Sequence, residues 1–206
     1  MTQQTDLTAF VELGRWIGKK GWCPATGGNL SARINSELCW VSESGKDKGS
    51  LESTDFIEVD IASGQSLSQR KPSAETRLHT ALYQLFPSAS VVLHTHSVNA
   101  TVLSRIHKEK FLQIEGYEMQ KTLKGQVTHQ AFVNIPIFAN NQDISVLAGQ
   151  VLQHYLQPET SNTYGFLVRG HGLYCWGDNI GDAKRHLEGL EFIFECDLKQ
   201  RLLEVR

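Results

Sequence analysis

Two histidines one residue apart close an apolar run in "VVLHTHSV", residues 91–98. Side chains at i and i+2 of an extended strand share a face, so His94 and His96 address one point while Thr95 turns away. That geometry suits two ligands of one metal ion, and it suits equally a hydrogen-bonded histidine pair at a strand end. A third ligand decides between them. His171 is the candidate: it lies between Gly170 and Gly172 in "VRGHGLYCWG", a tight turn where glycine lets the backbone approach closely. Three imidazoles are a common donor set for a catalytic divalent metal, and they leave positions open for substrate or water.

Two glycine-rich stretches have the composition that a phosphate dianion needs. "PATGGNLS" (24–31) offers Gly27, Gly28 and Asn29, and "SESGKDKG" (42–49) offers Ser42, Ser44, Gly45 and Lys48. Backbone amides freed by glycine, hydroxyls and a lysine each supply a donor without a bulky side chain in the way. The same residues also favour ordinary turns, and neither stretch fits a nucleotide-binding glycine motif. Three acids stand near these segments: Glu75 in "KPSAETRLH", and Glu115 and Glu118 in "QIEGYEMQK". A carboxylate beside a divalent metal can move a proton at a carbon next to a carbonyl. Periodicity does not choose among the three.

The elements that must position these residues follow from patterning. Residues 6–20 have helical apolar spacing with Asp6 as a cap; "LSARI" and "LCWVS" read as a hairpin, and "FIEVD" as a further strand. "SAETRLHTALYQLF" reads as a helix ended by Pro87, 90–96 as a buried strand and "NATVLSRI" as a helix. "AFVNIPIFA" reads as a strand, "QDISVLAGQVLQHYL" as a helix, "YGFLVRGHGLYCWG" as a strand pair and 179–204 as a long closing helix. Without a regular βαβ rhythm, the mixture predicts an α/β layered fold with a largely antiparallel or mixed sheet.

Composition excludes several classes. The 206 residues are 40% hydrophobic and 20% charged, which predicts one domain over 1–206. Net charge is −2 with scattered basic residues, so neither a nucleic-acid face nor a membrane-binding helix is expected. The start "MTQQTDLTAF" lacks signal-peptide features and no run is long enough to span a bilayer, which predicts a cytoplasmic protein. Four separated cysteines without C-x-x-C argue against a zinc knuckle; Cys39, Cys175 and Cys196 read as buried thiols.

"PATGGNLS", "SESGKDKG", "KPSAET", "HTHS", "GYEMQK" and "RGHGLYCWG", in this order over residues 6–200, resemble the class II aldolase/adducin family. The resemblance implies a three-layer α/β/α fold around a mostly antiparallel sheet. It also implies a homotetramer with active sites at subunit boundaries and one zinc ion per subunit on His94, His96 and His171. Gly28, Asn29, Ser42, Ser44, Gly45, Lys48 and Ser73 would surround the phosphate of a small sugar phosphate. Glu75 holds the place of the acid/base of the family's aldolases, and Glu118 that of its dehydratases. The "EMQK" and "HGLYCWG" segments tilt the comparison toward a dehydratase acting on a methylthio-pentulose phosphate, with a sugar-phosphate aldolase or epimerase as the alternative and a non-catalytic zinc-stabilised module as the remote one. Cys23, Phe111 and Tyr117 are expected either to receive the methylthio group, since a thioether favours a dry, polarisable pocket, or to be core.

Overall fold

The computed structural model describes residues 5–204. Helix α1 (Leu7–Lys19) starts where the Asp6 carboxylate accepts from the Thr8 amide, α3 (Val98–Ile106) where Ser97 accepts from Ala100, and α4 (Ile144–Tyr155) where Asp143 accepts from Ser145. Each cap satisfies an amide that the first helical turn leaves unpaired. Helix α2 covers Thr76–Leu85 and α5 covers Ile180–Glu204.

Eight strands form one sheet: β1 (Asn29–Arg33), β2 (Leu38–Ser42), β3 (Phe56–Asp60), β4 (Val91–Thr95), β5 (Phe111–Ile114), β6 (Val133–Phe138), β7 (Gly165–Val168) and β8 (Gly172–Gly177). Their order is β3-β2-β1-β4-β8-β7-β6-β5. Every neighbouring pair is antiparallel except β6 and β7. Residues of α1, α3 and α5 pack with one face of the sheet, and residues of α2 and α4 with the other. This is the expected α/β/α layering with a mostly antiparallel sheet.

Central β4 and β8 are buried on both faces, which explains their near-continuous apolar runs. Two details differ from the sequence reading. Strand β5 is added at the sheet edge; it is four residues long, too short for its alternation to stand out. Helix α2 begins at Thr76 rather than Ser73, because the Thr76 amide and hydroxyl both turn back to the Ser73 carbonyl. That leaves Ser73 and Glu75 outside the helix. Cys39 and Cys175 are buried as expected, but Cys196 on α5 is only partly so.

Candidate active site

Strand register builds the centre of the site. Asn29 on β1 pairs with His94 on β4, and His94 pairs with Tyr174 on β8. Directly opposed residues of antiparallel strands present side chains to the same face, so these three form one row. The His94 and Tyr174 rings stack at 3.9 Å with 11° between planes. His96 leaves the end of β4, and His171 lies in the turn from β7 to β8. Their Nε2 atoms lie 2.8 Å and 3.3 Å from Nε2 of His94. Glu75, just before α2, completes the group: its carboxylate oxygens are 3.3 Å from Nε2 of His94 and of His171. One donor atom from each of Glu75, His94, His96 and His171 falls within 4.8 Å of the others.

The chemistry of these donors fits a divalent cation. His94 donates its Nδ1 hydrogen to the Leu173 carbonyl at 3.0 Å, which leaves Nε2 with its lone pair toward the cluster. Burial, reinforced by the neighbouring imidazoles, holds its pKa well below the usual histidine value; burial likewise brings His96 down to about 4. The His94 lone pair, the two neighbouring imidazoles and the Glu75 carboxylate converge on one point, a donor set that suits a divalent cation. Bonds of about 2.0–2.1 Å at tetrahedral angles separate nitrogens by about 3.3 Å, the spacing of His94 and His171, while His96 stands closer to His94 at 2.8 Å.

A cleft of about 320 Å³ opens over this group. Its walls include Thr26, Gly27, Gly28 and Asn29 from the first glycine stretch, and Ser44 and Gly45 from the second. Ser73 and Glu75 also line it. Gly28 has φ of +72°, and a Cβ there would lie 2.5 Å from the His94 carbonyl, so only glycine lets this loop pack against β4.

Several expected residues have other duties. Ser42 is buried and accepts from the Leu30 amide, and Lys48 is 1% exposed, donating to the Thr26 and Lys46 carbonyls. Neither lines the cleft; both hold the glycine loops from behind. Asn29 does line it, but its amide is engaged by Glu75 at 2.5 Å and by His79. Glu115 is exposed. Glu118 opens a 3₁₀ turn (Glu118–Thr122) and is 69% exposed, paired with Lys121 at 2.5 Å and His129 at 3.1 Å. Lys121 holds its carboxyl below the usual glutamate range. Within one protomer Glu118 does not line the cleft.

The three thioether candidates do not meet. Cys23 belongs to the core beneath the glycine turn, with burial pushing its thiol up to about 12. Phe111 lies on the edge strand in a separate groove with His154, and Tyr117 reaches Gln200 on α5. The far wall of the cleft was not assigned to the site from sequence: Asn140, Asn141 and Gln142 come from the segment joining β6 to α4, and Ile144 opens α4. The run "ANNQD" looks like an ordinary polar loop, and only the fold brings it to the site.

Residues 8–198 match the family described as Class II Aldolase and Adducin N-terminal domain. A methylthioribulose-1-phosphate dehydratase of Enterobacter sp. (strain 638) is 60% identical over 204 residues, 99% of each chain. The enzyme of that name from Serratia proteamaculans is 58% identical over 206 residues, 100% of each chain. Among solved structures, L-fuculose-1-phosphate aldolase from Thermus thermophilus superposes with a TM-score of 0.76 at 24% identity, covering 97% of this chain and 96% of that one. A sugar-phosphate aldolase from Thermotoga maritima gives 0.71 at 16%, covering 96% and 95%.

Proposed function

The chain belongs to the class II aldolase and adducin family, and from that premise we propose that it dehydrates 5-methylthioribulose 1-phosphate to 2,3-diketo-5-methylthiopentyl 1-phosphate, a hydro-lyase step of methionine salvage. The single observation that carries the chemistry is the convergence of His94, His96, His171 and Glu75 on the floor of a cleft walled by glycine and serine. Identity over the full chain favours dehydration over aldol cleavage, since the aldolases share only the fold at this distance.

Zinc is the ion proposed for the three histidines; bound there, it would supply the Lewis acidity that makes a proton beside the substrate carbonyl removable by a carboxylate. The remaining work falls to the chain. Gly28, Ser44, Gly45 and Ser73 offer amides and hydroxyls to the phosphate. Glu75 takes the proton from C3, and the C4 hydroxyl departs with a proton as water. The C3–C4 enol left behind takes a proton at C4 and becomes the ketone, so atoms balance. The cleft walls hold the reacting carbons beside Glu75. The working form is proposed to be a homotetramer, as the family resemblance implies; Glu118 would then enter a cleft only across a subunit boundary. No described helix is long and apolar enough to cross a membrane.

The test is to incubate the zinc-loaded protein with 5-methylthioribulose 1-phosphate and follow products by NMR. A diketone with a new methylene at C4 is expected. A three-carbon phosphate would overturn the reading in favour of aldol cleavage.

A further inference from the structure

Behind Glu75 runs a line of buried polar groups that the proposed reaction does not itself use. The Asn29 amide nitrogen donates to Glu75 Oε2 at 2.5 Å, and its amide oxygen is bonded to Nε2 of His79. His79 Nδ1 meets the Ser31 hydroxyl at 2.7 Å, and that hydroxyl meets the Tyr83 hydroxyl at 2.8 Å. Ser31 and His79 are fully buried and Tyr83 nearly so, on β1 and α2.

The direction of each bond follows from the donor inventory. An amide oxygen only accepts, so Nε2 of His79 must carry the hydrogen. A neutral imidazole then has a lone pair on Nδ1, which must accept from Ser31, and Ser31 in turn accepts from Tyr83. Neutrality follows from burial, which brings the His79 pKa to about 3. With its oxygen turned to His79, Asn29 can only present its NH₂ to Glu75. A flipped Asn29 would set its oxygen against the acceptor-only carboxylate of Glu75, a repulsion in a buried site, and it is this contact that sets the orientation of the amide and with it the His79 tautomer.

We propose that His79 is a positioning residue for the reaction: by donating from Nε2 to Asn29 it fixes the Asn29 amide, which in turn aims and holds the Glu75 carboxylate. His79 follows Glu75 by four residues and faces the sheet, where it is fully buried. The inference rests on Glu75 being the proton-transfer group.

Two variants separate positioning from packing. In His79→Gln the side-chain amide nitrogen can take the place of Nε2 and donate to Asn29; in His79→Leu the volume is kept and the donor lost. We expect H79L to lower kcat at least 10-fold with KM within about 3-fold and the zinc content unchanged, and H79Q to recover most of kcat. A long-range ¹H–¹⁵N spectrum of the metal-free protein should show His79 as the neutral Nε2–H form, a readout independent of activity. An Nδ1–H form, or equal kcat in H79L and wild type beside an inactive Glu75→Gln, would overturn the proposal alone. An active Glu75→Gln would instead overturn the reading of Glu75 on which it rests. If H79L fails to fold, H79Q still decides: the Nε2–H form with kcat restored supports positioning, and a folded H79Q with kcat as low as that of Glu75→Gln overturns it.

Discussion

His94 and His171 are 77 residues apart in sequence, yet their Nε2 atoms lie 3.3 Å apart. The pairing of β4 with β8 brings them together, and the Glu75 carboxylate lies 3.3 Å from each of the two nitrogens. A cation bound only by the folded chain stabilises it by about 4 kcal/mol at a thousandfold excess over its Kd. For a domain of this size each kcal/mol moves Tm by about 2–4 °C. Dialysis against a chelator should therefore lower Tm by several degrees, and zinc should restore it. In His171→Ala the response should largely vanish; a Tm indifferent to both treatments would refute the metal site.

Glu75 and Glu118 are separated by their surroundings. Glu75 touches His94 and His171, while Glu118 is exposed and ion-paired. Glu75→Gln should lower kcat by about 10²–10⁴, the usual span for loss of a general acid or base, with zinc still near one per chain. Glu118→Gln should cost less than about 10-fold. The reverse order in steady-state kinetics would show that the working carboxylate arrives from a neighbouring subunit.

Glu191 on α5 lies against the back of β4, where the Thr95 hydroxyl donates to it at 3.3 Å. Burial raises its pKa from 4.5 to about 7, partly offset by bonds from Ser97 and Thr95. The folded chain thus holds a proton that the unfolded chain gives up, so this group makes stability fall as pH rises from 4.5 to 7, by about 3 kcal/mol over the full window. Glu191→Gln lacks that titration. Denaturant unfolding should show the variant gaining about 2–3 kcal/mol on wild type between pH 5 and pH 8. A constant difference would mean that Glu191 ionises normally.

The turn that carries His171 leaves no room at Gly172, where a Cβ would collide with the Thr95 carbonyl of β4. Gly172→Ala must push β8 away from β4 and with it His171 from His94. A loss of about 1–3 kcal/mol in unfolding free energy, as for other overpacked interiors, and weakened zinc binding by titration are expected together. Loss of stability with unaltered zinc affinity would show that the turn relaxes without moving the ligand.

What the sequence could reveal follows from range. His94 and His96 are joined by strand periodicity, and both glycine loops carry their own conformational signature, so these were legible. The meeting of β4 with β8 was not, because strand order depends on packing of the whole sheet. Patterning left Glu75 as one of three acids and the family resemblance put Glu118 in the dehydratase acid/base place; the nearness of Glu75 to His94 and His171 comes only from tertiary placement. Asn140–Gln142 and His79 carry no local pattern at all; one becomes a wall and the other a buried donor only through tertiary placement.

Lys48 shows the limit of reading a role from residue type. A lysine between glycines suggests a phosphate contact, but its ammonium joins the two loops by donating to the Thr26 carbonyl at 3.0 Å and the Lys46 carbonyl at 2.7 Å. Burial lowers its pKa, yet the two carbonyls reward the charged form locally. Lys48→Met keeps much of the volume but loses both part-buried bonds from a charged donor, a cost of about 1.5–3 kcal/mol each before water replaces them. The substrate-free variant should therefore unfold at lower denaturant. Its KM should rise more than its kcat falls, because loosened loops bind the phosphate less well while Glu75 and the histidines stay in place. Unchanged stability together with a raised KM would make Lys48 a direct phosphate contact that swings into the cleft when substrate binds.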